Sequence, residues 1–203
     1  MTVLILPTDA PSVAGPPQGH WNHALWETLP DDGNRYEVID GVLYMSTAPS
    51  FFHQWIVLRL VELVGTAAKQ QGLAIPFFSP IGVLMPGCDP VQPDFGLIRA
   101  ANSGIIRDRR VRGIPDLLAE ILSPGNRAYD ERVKLEAYAR AGLPEYVIID
   151  PGARALRHYR LASAGQYDNP RTYQGDEPIR FDCLPTIEFR AGDLFEGAPD
   201  TTL

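Results

Sequence analysis

Residues Leu117 to Leu122 read Leu-Leu-Ala-Glu-Ile-Leu, an apolar run broken by a single charge. Such a run marks a central strand covered on both faces, so the chain must build a layered sheet around it. Glu120 then sits where an unpaired carboxylate costs several kcal/mol or shifts its pKa until it is neutral. Its partner is an arginine or lysine, a set of backbone donors, or a metal ion. A structural ion pair is the plainest of these readings.

The periodicities around that strand specify an α/β chain. Pro7 to Gln18, rich in Pro, Gly and Ala, reads as part of a flexible leader over residues 1–18, with residues 19–203 as one domain. A short helix is expected from Trp21 to Leu29, closed by Pro30. Arg35 to Ile39 and Val42 to Met45 form a hairpin across Asp40-Gly41, a pair suited to a type I′ turn. Ser50 is a good N-cap for a helix from Phe51 to Gln71, in which Ile56, Leu60, Leu63, Val64 and Ala67 recur at the helical period. Strands are expected at Leu73 to Phe78, Gly82 to Met85, Asp94 to Ile98 and Tyr146 to Ile149. A second helix runs from Arg127 to Ala141 and stops at Gly142 and Pro144. Leu156 to Leu161, Gln166 to Tyr173 and Ile179 to Phe181 read as a meander finishing the sheet. Strands joined by two crossover helices imply an α/β fold with a mixed sheet flanked by helices.

Composition narrows the class. With 45% hydrophobic residues, the bulk of the 203-residue chain is not disordered. No apolar run approaches the ~20 residues that cross a bilayer, and Met1 to Leu6 lacks the basic start of a signal peptide. A cytoplasmic protein is expected, with Cys88 and Cys183 as free thiols. A net charge of −7 excludes a protein that coats nucleic acid non-specifically. Arg107, Arg109, Arg110 and Arg112 nevertheless crowd one segment, with Arg99 upstream. They form either a solvated loop or a local patch that contacts phosphates.

Asp94 follows Pro93 in Gln92-Pro93-Asp94, where proline suits a strand start. The dipeptide is weak by itself, and Pro115-Asp116 repeats it. Carboxylates on adjacent strands form an oxygen-rich half-shell that Mg²⁺ accepts, with waters and a phosphate completing its octahedron. Lys134 lies one turn after Asp130 on the following helix, so the two share a face. They make either an ordinary surface pair or an ammonium that reaches the sheet's end. The chain has no Gly-rich phosphate loop, GxSxG elbow or zinc spacing, and His20, His23 and His158 form no cluster.

The series Pro93-Asp94, Glu120 in a buried strand and a helical lysine resembles the PD-(D/E)XK nuclease superfamily. More closely, the chain resembles the Uma-two (Uma2) family of bacterial restriction endonucleases. The resembling stretches include Tyr36 to Gly41, Ala48 to Ser50 with His53, Gln92 to Asp94, Pro115 to Pro124, Tyr129-Asp130 with Lys134, and Tyr138 to Tyr146. The resemblance implies a restriction-endonuclease-like fold and Mg²⁺ (or Mn²⁺) held by Asp94 and Glu120. It also implies a lysine that orients the attacking water or stabilises charge. The superfamily's usual lysine position is Leu122 here, which points to Lys134 instead. Glu37 is either an additional catalytic carboxylate or an exposed strand residue. His53, Gln92 and Asp130 are candidate walls of the site.

The expected activity is metal-dependent hydrolysis of phosphodiester bonds in nucleic acid, DNA before RNA, by a homodimer whose Arg107 to Arg112 segment grips the backbone. One rival is a catalytically silent binding protein on a nuclease scaffold. A second is a metal hydrolase acting on a small phosphorylated molecule.

Overall fold

A computed structural model describes residues 3–5, 13–162 and 165–198. Its centre is a six-stranded sheet in the order Arg171–Gln174, Ala155–Arg160, Glu145–Asp150, Leu117–Ile121, Phe95–Arg99, Ala74–Phe78. Leu117–Ile121 runs parallel to Glu145–Asp150 and antiparallel to Phe95–Arg99. A parallel pair needs a crossover, and the helical segments Tyr129–Lys134 and Leu135–Ala141 supply it. The apolar run is central, as its continuity predicts, and every residue of Leu117–Ile121 is buried.

Alternation along that strand sorts its side chains. Leu117, Ala119 and Ile121 join the core containing Ile56, Leu60 and Val64 of the long helix. Leu118 and Leu122 join the opposite core with Ala137, Tyr138 and Ala141. Glu120 shares the parity of Leu118 and Leu122, so it points toward the crossover helix. The long helix is continuous through Phe51–Leu60, Val61–Gly65 and Thr66–Gln70, with the middle segment a π-helical turn. The Ser50 hydroxyl accepts the His53 N–H at 3.2 Å, as an N-cap should. Ser50→Ala is expected to lower stability by about 1 kcal/mol, read from the midpoint of a urea melt.

The expected hairpin is present, and Asp40 (φ 50°) and Gly41 (φ 75°) have the positive dihedrals of its turn. It belongs to a second sheet. The order there is Val3–Ile5, Val42–Ser46, Arg35–Ile39, Cys88–Val91, Val83–Met85, Arg110–Arg112, Ile106–Arg107. The strand expected at Gly82 to Met85 is present as Val83–Met85 but lies in this second sheet instead of a single mixed one, and Cys88–Val91 and the Ile106–Arg112 hairpin are strands that the sequence pattern does not announce. These pieces are short and rich in charge or proline, and only pairing with distant partners makes them strands. The meander also divides. Ala155–Arg160 and Arg171–Gln174 extend the main sheet, whereas Pro178–Ile179 pairs with Phe189–Arg190.

Within the expected leader, residues 13–18 pack on the body of the protein. Val13 is buried, and the Gln18 side chain accepts from Leu43 N at 2.7 Å. Residues 1, 2 and 6–12 of that leader lie outside the described residues. Cys88 and Cys183 are free, and no helix among the described residues is long and apolar enough to cross a membrane.

Candidate active site

The strand partnerships bring the chemical groups together. Asp94 immediately precedes Phe95–Arg99, whose neighbour is the Glu120 strand, and both carboxylates are buried. The crossover helix follows the Glu120 strand and packs over the side to which Glu120 points. Its Tyr129–Lys134 segment is a π-helical turn. Such turns widen the helix locally and recur at functional sites.

Lys134 is fully buried, with Nζ 2.8 Å from Glu120 Oε1, 3.1 Å from Glu37 Oε1 and 3.8 Å from Asp130 Oδ1. Thus the Asp130–Lys134 pair is not a surface pair. Tyr138, one turn further, donates its hydroxyl to Glu120 Oε1 at 3.0 Å. Glu37 is buried as well, and its Oε1 accepts the Gln92 N–H at 2.6 Å. Asp94 is held from three sides. Arg35 Nη1 lies 2.9 Å from Oδ1, while His53 Nε2 and the Ile121 N–H each lie 2.9 Å from Oδ2.

These contacts join Glu120, Lys134, Glu37, Asp130 and Gln92 in one network and Asp94 with Arg35 and His53 in a second, and the two meet at the Ile121 N–H, the residue after Glu120. The arginine segment is different. Arg107 and Arg109 are exposed, and Arg112 pairs with Asp108. Of these four, only Arg110 lines a recess next to the site, as described below. Asp116, of the other Pro-Asp pair, accepts from Arg99 and Asn102 and serves that loop. Arg35 and Tyr138 escaped the sequence reading. The available signals were spacings: Arg35 is two residues from Glu37 on one strand face, and Tyr138 four from Lys134 on one helix face.

Charge counting describes the site best. Four buried carboxylates (Glu37, Asp94, Glu120, Asp130) face two permanent cations, Arg35 and Lys134. Burial is the largest influence on Glu120, and the Asp94 and Glu37 charges add to it. Together they overcome Lys134 and push the Glu120 carboxyl up to about 7. Burial likewise raises Asp130 well above the usual range, again against the pull of Lys134. Asp94 goes the other way. Burial would raise it, but His53 and Arg35 outweigh that and hold it well below the ordinary carboxylate range. The Glu120, Glu37 and Asp130 charges raise Lys134 despite its desolvation, so it stays an ammonium. Two carboxylates of one site are therefore driven apart, Asp94 ionised and Glu120 poised near neutrality.

The donor set suits a hard divalent cation. Glu120 Oε2 is buried without a hydrogen-bond partner, and so are both Asp130 carboxylate oxygens. With all four carboxyls ionised and His53 neutral, the set would carry two more negative charges than positive, an excess that one divalent cation would balance. No group of three or more His, Cys, Asp or Glu side chains among the described residues is arranged to hold a metal unaided. Mg²⁺ does not require one, since it usually keeps several waters and takes one or two protein carboxylates. A groove of about 390 Å³ reaches the Arg35, Asp94 and Gln92 end of the site, whereas Glu120 and Lys134 are fully buried behind it.

The sequence pattern of the Uma2 family, described as "Putative restriction endonuclease", matches residues 24–192. The chain belongs to the Uma2 family. The structure is similar to that of a protein from Anabaena variabilis ATCC 29413, described as "a putative nuclease belonging to DUF820". The TM-score is 0.72 at 18% identity, over 86% of this chain and 97% of that one. The likeness gives the Uma2 chain a restriction-endonuclease-like fold. A search of curated proteins finds no match to the chain.

Proposed function

We propose that this Uma2 protein is a Mg²⁺-dependent nuclease, able to use Mn²⁺, that hydrolyses phosphodiester bonds of nucleic acid, with DNA as the expected polymer. A cytoplasmic homodimer is the form in which we expect it to act. The observation that carries this reading is the buried surplus of carboxylates around Glu120, with Glu120 Oε2 left unpartnered.

Asp94 and Glu120 would hold the cation, which when bound supplies Lewis-acid polarisation of the phosphate and a lowered pKa for water. Arg35 and His53 orient Asp94 and keep it ionised. Arg35, at the groove floor, also offers its guanidinium to a phosphate oxygen. Lys134 and Tyr138 fix Glu120 Oε1, leaving Oε2 as the free donor. The Lys134 ammonium opposes negative charge that develops on the phosphate, a role that needs proximity rather than contact.

Binding by Glu120 requires its carboxylate, and the carboxyl is pushed up to about 7. Mn²⁺ affinity measured by calorimetry should therefore strengthen as pH rises through that value. Below it, affinity should fall by roughly tenfold per pH unit, with proton release on binding. Asp94→Asn should abolish the binding heat. A wild-type chain that takes up no Mn²⁺ at pH 8 would sink the reading. That result would favour the rival suggested by the complete burial of Lys134: a nuclease scaffold whose site is closed by its own ion pairs and serves binding alone.

A further inference from the structure

A second recess, of about 720 Å³, adjoins the groove at Asp94 and shares Asp31, Asn34, Pro80 and Gln92 with it. Its wall is built around Trp26. The indole Nε1 donates to Tyr36 O at 2.8 Å, which fixes the plane of the ring. The Arg110 guanidinium carbon lies 4.7 Å from the ring centroid, within cation–π range. Both side chains are half-buried. Trp26 ends the short helix His23–Trp26 and Arg110 begins the strand Arg110–Arg112 of the hairpin that carries the arginine cluster, so separate parts of the chain converge on one stack.

The charges in this recess argue against a phosphate site. Arg110 is already paired with Glu27 at 3.5 Å, and Asp31 lines the same wall. The remaining features are the Arg110 guanidinium over Trp26, the His23 ring stacked on the same indole at 6.1 Å, the Asn34 side chain and the Gln92 amide oxygen. Those groups suit a neutral, planar heterocycle with hydrogen-bonding edges. Gln92 ties the recess to the site, since its N–H donates to Glu37 and its side chain to Tyr36 O.

We infer that Trp26 and Arg110 form a stacking platform for an unpaired nucleobase, next to the phosphate lying over Asp94. A base within a duplex has both faces stacked on its neighbours, so the platform selects single-stranded or locally unpaired nucleic acid. The inference rests on the nuclease reading and adds its substrate class.

The test is fluorescence anisotropy with a short single-stranded oligodeoxynucleotide and its duplex, in Ca²⁺ buffer. The proteins are the wild-type chain, Trp26→Ala, Trp26→Phe and Arg35→Ala. Trp26→Ala should weaken single-strand binding by roughly 5- to 150-fold, and Trp26→Phe should restore most of it. The slope of log affinity against log salt should not change, because no phosphate contact is lost. Duplex binding should be unaffected. Should Trp26→Ala fail to fold, quenching of indole emission by the single strand provides the readout. It should be strong in wild type and largely lost in Trp26→Phe. Unchanged single-strand affinity in Trp26→Ala, with weakened affinity in Arg35→Ala, would refute the platform and leave the groove intact. A preference for duplex would also refute the platform. Failure to bind either polymer at low salt would overturn both the platform and the nuclease reading.

Discussion

Lys134→Met is expected to cost the metal-free protein roughly 3–5 kcal/mol at pH 8, the usual penalty for breaking a buried ion pair by removing one partner. The shape of the side chain is largely kept, but Glu37, Glu120 and Asp130 lose the cation that all three face. The sign of the pH dependence follows from the raised carboxyls. Burial already lifts Glu120 to about 7 and Asp130 well above its ordinary range against the pull of Lys134. Without the ammonium both rise further and take up protons more readily. A group whose folded pKa is raised contributes stability that is complete below its unfolded pKa and is lost as pH climbs through the folded one. The variant should therefore lie much closer to wild type at pH 5 than at pH 8. Urea melts at the two pH values measure this. An equal penalty at both would mean that the carboxylates do not depend on Lys134 for neutralisation.

Glu120→Gln should leave the fold nearly intact and reduce metal-dependent cleavage by about 10³-fold or more, at or beyond the upper end for loss of one transition-state stabiliser. Volume is conserved, and the amide oxygen can still accept from Lys134 and Tyr138, the two donors that now meet Oε1. What disappears is a charge, together with the unpartnered Oε2. Metal-free stability at pH 8 should rise slightly, because the buried set loses one of the three carboxylates that share Lys134, which keeps Glu37 and Asp130 beside it. The stabilisation that Mn²⁺ confers on the wild type should shrink. Thermal melts with and without Mn²⁺, beside a plasmid-cleavage assay, separate these effects. Full cleavage by the variant would exclude Glu120 from the reaction, whatever its role in the fold.

The two substitutions probe one network from opposite sides. Removing the cation leaves negative charge stranded, while removing a carboxylate relieves it. Opposite changes in metal-free stability are therefore expected at pH 8. A protein in which Lys134 and Glu120 were merely a balanced structural pair would instead be destabilised by both.

Several features of this architecture follow from local sequence, and the reason is periodicity. The unbroken apolar run dictates that Leu117–Ile121 is covered on both faces, and one carboxylate within it dictates a buried charge needing a partner. The i, i+3, i+4 spacing of apolar residues sets the long helix, and Asp40-Gly41 sets the hairpin turn. Asp94 and Glu120 could be placed on neighbouring strands from the order of elements. Tertiary structure decided which of the possible partners Glu120 meets: a lysine and a tyrosine on the crossover helix, with one oxygen spare. It also assigned the first hairpin to a second sheet, which carries Arg35 and Glu37 to the site from a different layer. Cys88–Val91 and Ile106–Arg112 became strands only on pairing. Burial pattern is written into each segment locally. Strand partnership and the meeting of charges distant in sequence depend on packing energies that no single segment contains.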